Sequence, residues 1–283
     1  MREKAIKEIM ELQKMTAQYV SIKTVADVRY VETSRGRIRV LEYGLGSQDV
    51  RPLLIDLHGG GYCLMSPEFD EHINLRIHNE TGIKIISIDY PKAPQNPYPA
   101  AVEAVYEVVK QYYDNADKYN IDRNNIGIGG LSSGGNLAAV TCIKANEKKE
   151  FRINYQILMC PSTNPAKGAH EKPKGDAKYL PNDRIESFIL CYLEDPKLAE
   201  LPYVSPVLAT KEQLTGLPPA LLIVAGHSDP LRPDGLLYGE VLRNANVPVE
   251  VHEFTGSHGF MAEATPEAKA AQDVMIEFIK KHI

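Results

Sequence analysis

Gly129-Gly130-Leu131-Ser132-Ser133-Gly134-Gly135-Asn136 decides how this chain is read. A short apolar run, Ile126-Gly127-Ile128, precedes it, and an alanine-rich run, Leu137-Ala138-Ala139-Val140, follows it. That order predicts strand, sharp turn, helix. Within it, Gly130-Leu131-Ser132-Ser133-Gly134 fits G-x-S-x-G, which sets a serine on a strained turn with its hydroxyl lifted clear of the sheet. The glycines answer a steric demand, because the backbone passes too close at 130 and 134 for a side chain. Ser132 is then a nucleophile that needs a base, an acid and oxyanion donors. Gly/Ser-rich turns are common, so the motif acquires meaning only from what surrounds it.

On the N-terminal side, an amphipathic helix is expected over about residues 3 to 20, with Ile6, Ile9 and Met10 on one face. It is a candidate lid element; the competing reading packs it on the body. Thr24–Thr33 and Gly36–Tyr43 alternate and read as an antiparallel hairpin. Pro52–His58 and Ile83–Tyr90 are nearly continuous apolar runs, as expected of strands covered on both faces. Helices are expected over Glu68–Glu80 and from Ala100 to about Tyr119. On the C-terminal side, Tyr155–Cys160, Pro219–Gly226 and Val247–Phe254 read as strands, with helices over Gly235–Asn244 and Pro266–Lys281. Between Pro161 and about Pro206 the rhythm breaks. A polar loop, Ser162–Pro181, leads to a short helix, Asp183–Leu193, read as an insertion over the sheet edge. Strands alternating with helices imply an α/β fold, a mostly parallel sheet with helices on both faces.

In such a sheet ligands bind beyond the carboxyl ends of the strands, and four segments put chemistry there. His58-Gly59-Gly60-Gly61 follows a buried strand and leaves bare N–H groups; Gly60 and Gly61, with Ser133 as third donor, are assigned to an oxyanion hole. A phosphate loop is the competing reading, but neither G-x-G-x-x-G nor a Lys-Ser/Thr pair follows. An Asp56/His58 metal pair has no third ligand. Ser132 is the second segment. The third, Ala225–Leu231, carries Asp229, placed to accept from a histidine Nδ1–H; the competing reading makes it a turn residue before Pro230. Asp234 is expected to cap the next helix. The fourth, Gly256-Ser257-His258-Gly259-Phe260, offers His258 as base, with His227 as the rival. The order Ser132, Asp229, His258 is that of a hydrolase with a nucleophile elbow.

A net charge of −5 with no basic run disfavours nucleic acid as a partner. No apolar run reaches membrane-spanning length, and the N-terminus lacks the apolar core of a secretory signal. Cys63, Cys142, Cys160 and Cys191 are scattered without C-x-x-C spacing, which favours reduced thiols in a cytoplasmic protein and offers no zinc ligand spacing. No cofactor or metal is expected. The last strand and helix offer a surface on which a homo-oligomer could form, but no residue pattern selects it.

The chain resembles the hormone-sensitive-lipase-like esterases of the α/β-hydrolase fold from about residue 40 onward. The resemblance rests on His58–Tyr62, Asp89-Tyr90 with Ala93-Pro94, Pro99-Ala100-Ala101, the Ser132 turn, Ser205-Pro206, Asp229-Pro230-Leu231 and His258-Gly259-Phe260. It implies a Ser132-His258-Asp229 triad, an oxyanion hole from Gly60, Gly61 and Ser133, and a single domain over 1–283 capped by about 1–22 and about 162–204. Two places depart from the family pattern. Leu131 and Ser133 stand where the family has aspartate and alanine, and Pro91-Lys92 where it has arginine-leucine. What braces the turn without those groups is left open. The expected activity is hydrolysis of small or short-chain acyl esters, because the polar, proline-broken loop 162–181 is unlike a lipid-facing lid. The alternatives are an amide, formamide or peptide hydrolase with the same triad, and a non-catalytic small-molecule receptor.

Overall fold

The computed structural model describes residues 1–17 and 23–283. The end of the expected first helix and of the first cap segment, residues 18–22, lies outside them. The described elements are α1 (Arg2–Thr16), β1 (Asp27–Thr33), β2 (Gly36–Tyr43), β3 (Arg51–Leu57), α2 (Glu71–Thr81), β4 (Lys84–Asp89), α3 (Ala100–Asp114) and β5 (Ile121–Leu131). They continue with α4 (Ser133–Lys148), β6 (Tyr155–Met159), α5 (Asn182–Tyr192), α6 (Lys211–Leu214), β7 (Ala220–Val224), α7 (Arg232–Asn244), β8 (Val249–Glu253) and α8 (Pro266–His282).

The strands form one eight-stranded sheet in the order β1-β2-β4-β3-β5-β6-β7-β8. β1 and β2 join antiparallel, β2 and β4 antiparallel, and every other neighbouring pair is parallel. The apolar runs occupy the middle: Leu53, Ile55, Ile128, Leu158 and Leu222 are wholly buried. α3, α4 and α7 cover one face through Val105, Val109, Leu137, Val140, Tyr238 and Leu242. α2 and α8 cover the other through Ile73, Ile77, Met275, Ile276 and Phe278. Both faces of a parallel sheet must be shielded from water, and the near-continuous apolar character of β3, β4, β6 and β7 follows from that.

Several boundaries differ from the sequence expectation. α7 starts at Arg232, three residues before Gly235, because Pro233 suits a first turn whose N–H groups have no intrahelical acceptor. α3 ends at Asp114, and 116–119 form a separate 3₁₀ turn. β5 begins at Ile121, five residues early, carrying the polar stretch 122–125. Asp234 is not the helix cap. It is buried in an ion pair with Lys172 at 2.7 Å and accepts from the Asn164 amide at 3.2 Å.

Candidate active site

Ser132 links β5 to α4 with φ 57° and ψ −114°, a conformation that a non-glycine residue adopts only under constraint. A Cβ on Gly134 would run into the Leu57 carbonyl oxygen, and one on Gly130 into the Gly134 carbonyl. Glycine at those two places lets α4 start hard against β3. The start of α4 therefore points its unpaired N–H groups, and the positive end of its dipole, at the space above Ser132.

The structure brings the three expected side chains together. Ser132 Oγ lies 3.0 Å from His258 Nε2, and His258 Nδ1 lies 3.1 Å from each Asp229 oxygen. Asp229 is wholly buried and also accepts the Leu231 amide at 2.8 Å. A carboxylate can only accept, so His258 Nδ1 carries the proton and donates. Nε2 then presents its lone pair to the Ser132 hydroxyl. The rival base, His227, is exposed, and the histidine paired with Asp229 is His258.

The loop expected to donate to an oxyanion sits on the other side of Ser132. Gly60 and Gly61 have φ 115° and 62°, and among the described residues their amides donate to no main-chain acceptor. Tyr90 fixes this loop: its hydroxyl donates to His58 O at 2.8 Å and lies 3.4 Å from Ser133 Oγ. The Tyr90 ring also stacks on His58 at 4.2 Å. His58 is wholly buried, its Nδ1–H donates to Gly59 O at 2.6 Å, and burial lowers its pKa to about 3, so it is neutral. Asp56 lies elsewhere, accepting from Asn74 and Ser87 at 2.7 and 2.5 Å, and does not pair with His58.

The two departures from the family pattern have local answers. Leu131 is buried in one apolar cluster with Met159, Phe260 and Met261 and packs against Gly59, so apolar contact braces the turn where an acid would have used hydrogen bonds. Asp89 loses an arginine at 91 but gains Arg39, which donates to it at 2.9 Å and forks onto Glu68 at 2.6 and 3.0 Å. Lys92 pairs with the other Asp89 oxygen. The roles of Tyr90 and Arg39 escaped sequence reasoning. The tyrosine stands in a recognised motif, but nothing in the sequence names its partners.

α5 lies across the site. Its Phe188 ring occupies the space a side chain on Gly61 would need, and Ile185, Phe188 and Ile189 join Leu180, Leu231 and Ser162 around a cavity of about 20 Å³ beside Ser132. α1 packs on α5, with Gln13 donating to Cys63 O at 2.8 Å and Ala93 O at 2.9 Å. Larger cavities, of about 200 and 440 Å³, contain none of the three side chains.

Residues 54–262 match a family defined by the α/β-hydrolase fold. The chain belongs to that family. This α/β hydrolase is 34% identical to esterase LipI of Mycobacterium tuberculosis, across 75% of its own length and 67% of that protein. It is 29% identical to an arylesterase of Saccharolobus solfataricus, across 89% and 84%. Among solved structures it superposes on the hyperthermophilic esterase of Pyrobaculum calidifontis with a TM-score of 0.85 and 31% identity, covering 99% of its own chain and 91% of the other. These relatives place the hydrolase in the esterase branch that includes hormone-sensitive lipase.

Proposed function

We propose that this carboxylic-ester hydrolase acts on small, short-chain acyl esters through an acyl-enzyme formed on Ser132. The observation that carries the mechanism is the chain of contacts from Ser132 Oγ through His258 to Asp229. His258 Nε2 takes the hydroxyl proton as Oγ attacks the ester carbonyl. Asp229 holds the tautomer and stabilises the imidazolium that forms. The carbonyl oxygen, now negative, meets the amides of Gly60, Gly61 and Ser133; one such donor is worth about 3–4 kcal/mol of barrier. His258 then returns its proton to the alcohol as it leaves. Water repeats the sequence and frees the acid. No step calls for a metal or an organic cofactor.

The substrate class rests on the cap, which we assign to about 1–22 and about 162–204. The cavity at Ser132 holds about 20 Å³, close to the room one water-sized or methyl-sized group needs. That room matches the methyl of an acetyl group, and on this proposal a longer chain displaces Phe188. Rates on p-nitrophenyl acetate, butyrate, octanoate and decanoate test this. The expected order falls steadily beyond butyrate, and a maximum at decanoate would contradict it. Parallel turnover of the acetanilide separates ester from amide preference, the ester being the faster.

A further inference from the structure

Behind the triad lies a thiol that ester hydrolysis does not use. Cys160 directly follows β6 with φ 43°, and its amide donates to Ile223 O at 2.7 Å, so it is pinned at the carboxyl end of the sheet. Its side chain is buried. The sulfur, an Asp229 oxygen and a His258 ring nitrogen all lie within 4.8 Å of one another.

We propose that Cys160, Asp229 and His258 form a binding site for a soft divalent cation of the Zn²⁺ or Cd²⁺ class, and that filling it switches the triad off. Thiolate and imidazole select such ions over Mg²⁺ and Ca²⁺, which prefer all-oxygen sites. Zinc holds sulfur at about 2.3 Å and nitrogen or oxygen at about 2.0–2.2 Å, so the three ligands need close in by only about an ångström. The nitrogen facing Asp229 is Nδ1, and the proton balance follows from that. The ion replaces the thiol proton, which leaves to solvent. It also takes the Nδ1 lone pair, so the ring proton moves to Nε2 and the imidazole stays neutral. Nε2–H then donates to Ser132 Oγ, and no lone pair remains to accept the hydroxyl proton.

The test titrates the protein with CdCl₂ in a non-chelating buffer, reading the ultraviolet thiolate-to-cadmium charge-transfer band alongside p-nitrophenyl acetate hydrolysis. Wild type should gain the band and lose nearly all its rate, both reversed by EDTA. Cys160→Ala should show no band, and its rate with cadmium should equal its own rate without; Cys160→Ser, closer in volume, repeats the comparison should the alanine variant fold poorly. Ser132→Ala removes no ligand and should keep the band, so binding is read even where no ester turns over. A failed site is thereby distinguished from a failed esterase assignment. The proposal is overturned if the band or the inhibition persists undiminished in the Cys160 variants, as it would were Cys63, Cys142 or Cys191 responsible. A wild type indifferent to cadmium overturns it equally.

Discussion

His58 shows how one buried side chain ties the loop beside Ser132 to stability. Its pKa falls to about 3 because burial, and then Lys92, disfavour the charged ring, whereas in the unfolded chain it titrates near 6.5. Between those values the unfolded state binds the extra proton, so stability is complete above about pH 6.5 and drains as pH falls toward 3. The slope is about 1.4 kcal/mol per unit, or roughly 2 kcal/mol between pH 7 and pH 5. Urea midpoints at the two pH values should separate in wild type and approach one another in His58→Asn; equal separation in both would refute the assignment. That Ser132, Asp229 and His258 would come together was legible in the sequence because each stands in a short motif just after a strand. Tyr90, Arg39 and Cys160 were not, because their partners lie 29 to 98 residues away in the chain and only the sheet order brings them together.

At the scale of elements, α5 lines the cavity beside Ser132, and the proposed function makes it the limit on what reaches that serine. The sequence revealed this helix and its inward side, since Ile185 and Tyr192 are buried and Phe188 and Ile189 pack against the core. It did not reveal that Phe188 would lie on Gly61, because that depends on how α5 crosses the sheet. Phe188→Ala should widen the cavity and raise kcat/KM for the octanoate ester relative to the acetate by about tenfold or more, since each methylene accommodated is worth roughly 1 kcal/mol or more. An unchanged ratio would show that the acyl chain lies elsewhere. The misread boundaries have a common origin. The start of α7 and the polar beginning of β5 are fixed by neighbours in space, whereas hydrophobic periodicity reports only burial along the chain.

Across the whole molecule, the α/β architecture was readable because β3, β4, β6 and β7 are apolar runs with glycine or proline close by in the sequence. The connection between the inserted segment and the body was not. It depends on Lys172, 2% exposed at its side chain, paired with Asp234 at 1% and also donating to Asn164 O at 2.9 Å. Burial outweighs the lysine and raises the Asp234 pKa to about 6, so that carboxyl is largely ionised at neutral pH. Lys172→Met strands that carboxylate and should cost about 3 kcal/mol or more. The double change Lys172→Met with Asp234→Leu should recover most of the loss in thermal melts, and no recovery would deny the pair its role.

The central claim, that sheet, turn and cap exist to present one activated hydroxyl, is tested most directly by the rate of p-nitrophenyl acetate hydrolysis in Ser132→Ala. The account predicts a fall in kcat of about 10⁶-fold with the fold intact by circular dichroism. A folded Ser132→Ala variant that retains the wild-type rate would contradict it.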